Sequence, residues 1–181
     1  MTGILQDKLY IEQLNEAISL SEKTEIGKYA PFFSLPNIKG EKITRSSEDF
    51  KKKNLLINFW ASWGDSISNH QSNTELKEIY QKYKKNKHIA MLGISLDMDK
   101  QEWQDAIKRD TLNWEQVCDF GGLNSEVAKQ YAIKQVPSNI LLSADGKILA
   151  KNLKGEQLKK KIEEVVTAAE EKEKQDNKKK K

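Results

Sequence analysis

The 181-residue sequence predicts an α/β domain, a three-layer sandwich with a mixed central sheet, helices on both faces and an N-terminal hairpin. Three observations carry that prediction. Two nearly continuous apolar runs, Leu55–Trp60 and Ile89–Leu96, have the length and composition of strands buried on both faces. Each is followed by a segment with helical apolar spacing, the alternation that calls for parallel strands joined by crossover helices. Later, two short apolar segments flank Asp145–Gly146, a strong two-residue turn signal that adds antiparallel strands.

Taken in order, Ile4 to Leu20 places apolar residues at Ile4, Leu5, Leu9, Ile11, Leu14, Ala17, Ile18 and Leu20, spacings that predict an amphipathic helix outside the core. It either docks on the domain or is the remnant of an upstream linker, and Ser21–Glu25 reads as a flexible connector. The compact part starts near Gly27; Pro31 and Pro36 punctuate an extended segment, and Asn37–Gly40 reads as a hairpin turn. After the Leu55–Trp60 strand, Ser68 to Tyr83 reads as a helix with Leu76, Ile79, Tyr80 and Tyr83 on its inward stripe. Asp97–Asp99 leads into a helix carrying Trp103, Ala106 and Ile107, and Trp114–Cys118 reads as a short strand. Asn124 or Ser125 can cap a brief helix through Val127, Ala128 and Tyr131. Ser138–Ser143 and Lys147–Lys151 form the late hairpin, and a last helix runs from about Gly155 through Val166. The expected division is residues 1–24 as helical extension or linker, 25–168 as the domain, and 169–181 as a charged, disordered tail.

Composition narrows the function classes. No stretch approaches the roughly 18 apolar residues that span a bilayer, and Met1–Gln6 lack the charged and apolar regions of a secretory signal. The net charge is +4, but only Arg45 and Arg109 are arginines and the lysines alternate with acids, the pattern of a solvated surface rather than of a nucleic-acid reader. His70 and His88 show no metal-ligand spacing, and neither a metal nor another cofactor is expected. Cys118 is the single cysteine, which excludes any intramolecular disulfide.

Three segments resemble the thioredoxin-like family, specifically its TlpA/ResA-like branch, related to the AhpC/TSA peroxiredoxins. They are Gly27-Lys-Tyr-Ala-Pro-Phe-Phe-Ser-Leu-Pro-Asn37 with Gly40, then Leu56-Ile-Asn-Phe-Trp-Ala-Ser-Trp63, and then Tyr131-Ala-Ile-Lys-Gln-Val-Pro-Ser138 followed by Asp145-Gly-Lys-Ile148. The resemblance implies thiol-disulfide exchange by a Cys-x-x-Cys pair at a helix start, where a thiolate favoured by the helix N-terminus attacks and the second thiol resolves. It puts Gly64 and Ile67 at those two positions, with Asp65 and Ser66 between them. Neither Gly nor Ile exchanges thiols, and Asp65–Ser66 reads as an ordinary helix N-cap.

The resemblance further implies a cis bond before Pro137 and a bacterial periplasmic or cell-envelope location, with the signal absent from this sequence. An exposed backbone edge at Gln135 and Val136 would then face the Trp63–Ser66 loop and pair with an extended peptide. Cys118 reads as a buried structural thiol, with a redox-sensitive role as the alternative; Trp60, Trp103 and Trp114 read as packing residues. Three functions follow. The first is a redox-inactive protein- or peptide-binding module built on Trp63, Gly64, Asp65, Ser66, Gln135, Val136 and Pro137. The others are thiol-disulfide oxidoreductase activity, as in the family, and an AhpC/TSA-like antioxidant activity that would have to use Cys118.

Overall fold

The computed structural model describes residues 2–64 and 66–179, with side chains over 8–64 and 71–179. A helix, α1 (Thr2–Lys23), precedes a hairpin of β1 (Ser34–Pro36) and β2 (Lys42–Thr44). Then follow β3 (Asn54–Trp60), α2 (Ser66–Tyr83), β4 (Ile89–Ser95), α3 (Lys100–Arg109) and β5 (Glu115–Cys118). The chain closes with α4 (Glu126–Gln130), the hairpin β6 (Ser138–Leu142) and β7 (Ile148–Lys151), and α5 (Gly155–Lys179). The five-stranded sheet has the order β5-β4-β3-β6-β7; β3, β4 and β5 are parallel, and β6 and β7 run antiparallel. This is the mixed sheet that the apolar runs and the Asp145–Gly146 turn call for. Gly146 sits at φ +96°, a conformation that most side chains resist, and the turn closes through its N–H on the Ser143 carbonyl at 2.9 Å.

The period-2 pleat divides the continuous apolar run of β3 between two cores. Leu55, Ile57 and Phe59 face a core completed by Phe33 and Leu35 of the hairpin region and by Val127 and Ala128 of α4. Leu56 and Trp60 face the other core, filled by Leu76 and Ile79 of α2, Trp103, Ala106 and Ile107 of α3, and Leu158, Ile162 and Val166 of α5. All seven β3 residues are buried, and at about 1.5–3 kcal/mol for each fully buried large apolar side chain, this strand anchors both layers.

Several local expectations are corrected. Ser21–Glu25 is not a loose connector: α1 continues to Lys23, and Thr24 is fully buried, with its hydroxyl donating back to helix carbonyls and accepting from Lys151 Nζ at 3.2 Å. Of the apolar residues of α1, Leu9, Ile11, Leu14 and Ile18 stand exposed and Ala17 and Leu20 are half-buried, while the side chains of Ile4 and Leu5 lie outside the described ones. Ser125 occupies the N-cap position of α4 but makes no capping bond; its hydroxyl donates to Asp119 at 2.6 Å instead. The last helix continues to Lys179 rather than ending near Val166, so the charged segment from Ala169 is helical as far as it is described. Asn86 and Lys87 donate to Glu170 and Glu173 there, which ties that segment to the end of the α2–β4 loop.

Candidate functional site

The carboxyl ends of the parallel strands β3 and β4 meet at one edge of the sheet, where ligand sites of open α/β sheets commonly lie. Beyond Trp60 the chain turns through Ala61–Gly64 into α2, and Leu96 holds that exit by donating its N–H to the Trp60 carbonyl at 2.8 Å. Antiparallel pairing matches Ser138 of β6 with Phe59, so Gln135–Pro137 leads into β6 alongside the place where β3 ends. The Val136–Pro137 peptide bond is cis, and Ser138 donates its hydroxyl to the Gln135 carbonyl at 2.7 Å. The sheet register thus sets the two loops singled out from sequence side by side.

Within those loops, Trp63 is 50% exposed, Gln135 is exposed, and Gly64, Val136 and Pro137 are half-buried. Such exposure is large for an indole with a compact core nearby. Trp60, three residues earlier, is buried and donates its Nε1–H to Gln116 Oε1 at 3.0 Å. The two tryptophans therefore divide into a core residue and a surface residue. Asp65 lies outside the described residues; Ser66 and Ile67 begin α2, and their side chains lie outside the described ones, as does that of His70.

Beneath this loop sits an acid that the sequence reading used only as part of a helix lead-in. Asp97 is fully buried, and its carboxylate accepts from the Ser62 N–H at 3.0 and 3.2 Å, the Ser62 hydroxyl at 2.5 Å and the Ser95 hydroxyl at 2.6 Å. Charge-assisted bonds of this kind are about twice as strong as neutral ones. They tie the Ser62–Gly64 turn to the end of β4. One signal pointed to it: Asp99 already caps α3 by accepting from Gln101 and Glu102, which leaves Asp97 without a local task.

Cys118 closes β5 opposite Ser95 and is fully buried. Its thiol donates to the Asp97 carbonyl at 3.5 Å and accepts from the Phe120 N–H at 3.3 Å. Burial pushes the thiol up to about 11; the Phe120 N–H and the Ser95 hydroxyl pull it back, and the charges of Asp97 and Asp119 push the same way as burial. A thiol this far above neutrality carries almost no thiolate, the nucleophilic form, at physiological pH. Among the described residues no group of three or more His, Cys, Asp and Glu side chains is arranged to hold a metal ion, and no helix is long and apolar enough to cross a membrane.

Comparison with known proteins agrees with this architecture. A thioredoxin-like family model matches residues 52–148. The thiol-disulfide oxidoreductase ResA of Bacillus cereus is 33% identical over 146 residues, 81% of this chain and 79% of that protein. A solved C-terminal domain from Bacteroides thetaiotaomicron, assigned to the thiol-disulfide oxidoreductases, is 79% identical with a TM-score of 0.79, covering 81% of this chain and 99% of that one. A thiol-disulfide oxidoreductase structure from Bacteroides fragilis is 59% identical with a TM-score of 0.74, covering 76% and 99%. With the fold, the sheet-end loops and these likenesses in agreement, the chain belongs to the thioredoxin-like family, in its ResA-like thiol-disulfide oxidoreductase branch.

Proposed function

We propose that this chain is a non-catalytic member of its family, a protein- or peptide-binding module that uses the surface between the Trp63–Gly64 turn and the Gln135–Pro137 loop. One observation carries the reading: dithiol exchange needs two neighbouring thiols, and the only cysteine of the sequence is buried with its thiol held near 11. Gly64 and Ile67, at the positions where the resemblance puts the redox pair, hold no sulfur. The half-exposed Trp63 supports a binding role, because a rigid aromatic with a polar edge is the kind of anchor that interface centres favour. The backbone of Gln135 and Val136 offers hydrogen-bonding groups beside β6 for an extended partner. The relatives' oxidoreductase activity is the competing reading, and in this chain it would have to run through Cys118.

Insulin reduction with dithiothreitol as electron source separates the two. The expected rate equals that of dithiothreitol alone, for the wild type and for Cys118→Ala. Turnover above that background overturns the proposal. Binding of extended peptides is expected to be lost in Trp63→Ala and Val136→Asp.

A further inference from the structure

The sheet register gathers three exposed apolar side chains at the edge that carries the candidate site. Trp60, Ser95 and Cys118 stand level across β3, β4 and β5. Three residues beyond Trp60 comes Trp63, three beyond Ser95 comes Met98, and five beyond Cys118 comes Leu123. Their exposures are 50%, 74% and 48%, and from β3 onward no other large hydrophobic stands exposed among the described residues. Local contacts bring the three loops together. Ser62 donates its N–H to the Asp97 carboxylate at 3.0 Å, so Trp63 and Met98 each follow one member of a bonded pair. The Met98 side chain lies against Gly122, where an added Cβ would meet its Cγ at 3.1 Å and its Sδ at 3.2 Å, and Leu123 is the next residue. Exposed apolar side chains clustered in this way, rather than scattered singly, mark an interaction surface. Charge adds a second asymmetry. In a chain with 31 basic and 27 acidic side chains, the segments that leave β4 and β5, through the first turns of α3 and α4, expose Asp99, Glu102, Asp119 and Glu126 against Lys100 alone.

We propose that Trp63, Met98 and Leu123 form the docking surface for a large apolar side chain of an extended partner segment that carries a basic residue beside it. The inference rests on the peptide-binding reading above and adds the partner's chemistry. It carries the surface from Trp63 across the ends of β4 and β5, on the side away from β6 and the Gln135–Pro137 loop, where Lys134 stands exposed. A rigid indole is an anchor that interface centres favour, and the flexible, polarisable thioether of Met98 adapts to apolar partners of different shape. The acids select the neighbour of that anchor. Asp99 accepts from the Gln101 and Glu102 N–H groups and Asp119 from the Gly121 N–H and the Ser125 hydroxyl, so both carboxylates are fixed in place as charges at the rim. Fixed negative charge draws a basic flank and repels an acidic one.

The test is a nuclear magnetic resonance titration with capped serine heptapeptides that carry leucine or asparagine at the centre and lysine or glutamate beside it. The Met98 and Leu123 methyl groups and the Trp63 indole N–H report the proposed surface, and the Val136 amide reports the loop on the other side of Trp63. The leucine–lysine peptide is expected to shift all three surface reporters. It should bind about tenfold more tightly than the asparagine–lysine peptide, the scale of one large apolar side chain leaving water. It should bind about threefold more tightly than the leucine–glutamate peptide at low salt, a difference that about 0.5 M salt removes. Met98→Gln and Leu123→Gln exchange exposed apolar groups for polar ones of similar size; each should cut the leucine preference severalfold with the urea midpoint unchanged. Peptides that move Val136 without Met98 and Leu123, that show no leucine or no lysine preference, or whose preference survives both variants overturn this inference while the groove reading stands. Surface reporters that shift when the protein alone is concentrated would show a second copy on this face and overturn it as well. If no peptide moves any reporter, both readings fail.

Discussion

Replacing Asp97 should unfasten the Ser62–Gly64 turn and destabilise the whole domain, with a size that its hydrogen bonds allow to be worked out. The carboxylate is fully buried and serves three donors: the Ser62 N–H and the hydroxyls of Ser62 and Ser95. Truncation to alanine leaves those groups short of an acceptor, at about 1–3 kcal/mol for each enclosed one. Part of that is offset because a carboxylate no longer has to be held away from water, so the net loss for Asp97→Ala should be about 3–4 kcal/mol. Asp97→Asn keeps one acceptor oxygen, and the Ser95 hydroxyl can turn to accept from the new amide; its cost should be about 1–2 kcal/mol. For a chain of this size each kcal/mol moves the melting temperature by about 2–4 °C, which puts the alanine variant roughly 6–16 °C below wild type. Urea unfolding gives the free energies, and amide hydrogen exchange at Ser62 reads the local effect, with protection lost in alanine and reduced in asparagine. An alanine variant within about 0.5 kcal/mol of wild type, or an unchanged Ser62 exchange rate, would refute the reasoning.

Three further outcomes are expected. Alkaline pH should destabilise the fold: the unfolded Cys118 thiol loses its proton near 9 whereas the folded one holds it to about 11, so the native state binds more protons between those values and stability falls as pH rises. That contribution is about 2 kcal/mol by pH 11; urea midpoints measured from pH 8 to 11 should show it in wild type and a shallower fall in Cys118→Ser. Burial also raises the phenol of Tyr131, whose hydroxyl donates to the Pro31 carbonyl at 2.7 Å, and it acts in the same direction at still higher pH. Gly93→Ala should cost about 2–4 kcal/mol in urea unfolding, because the added Cβ would meet Gln116 Oε1 at 2.0 Å and displace the acceptor of the Trp60 indole. Gly64→Cys with Ile67→Cys should form a reversible intramolecular disulfide, read by mass and by a mobility shift on reduction; failure of the pair to bridge would show that the turn is misassigned.

Where local physics decides, the sequence was a sufficient guide. The Leu55–Trp60 and Ile89–Leu96 runs became central strands because a strand buried on both faces needs apolar residues on both. The Asp145–Gly146 turn closed its hairpin because glycine accepts the required φ. The strands that flank the candidate loops were legible too, since β3 ends at Trp60 and β6 begins at Ser138, as their apolar runs call for. Less could be seen where a side chain has several partners within reach. Ser125 had the composition of a cap, yet Asp119, brought near by the preceding turn, is the partner its hydroxyl takes. The Glu- and Lys-rich end has the composition of a disordered tail, and in the fold Asn86 and Lys87 are placed to hold Glu170 and Glu173.

The amino-acid sequence alone determined that this chain has one sulfur-bearing thiol and cannot close a dithiol centre within itself; that is a matter of covalent inventory, which folding does not alter. It also determined the α/β alternation, because apolar period is a local property of the chain. Only the tertiary structure decided what surrounds the thiol. Register across β4 and β5 puts Cys118 against Ser95 and Asp97, and the resulting burial, a sum over residues distant in sequence, holds its thiol protonated at neutral pH. The same long-range packing brings Glu75 of α2 and Leu158 of α5 to one cavity beside Pro137, because the start of α5 arrives there from beyond β7.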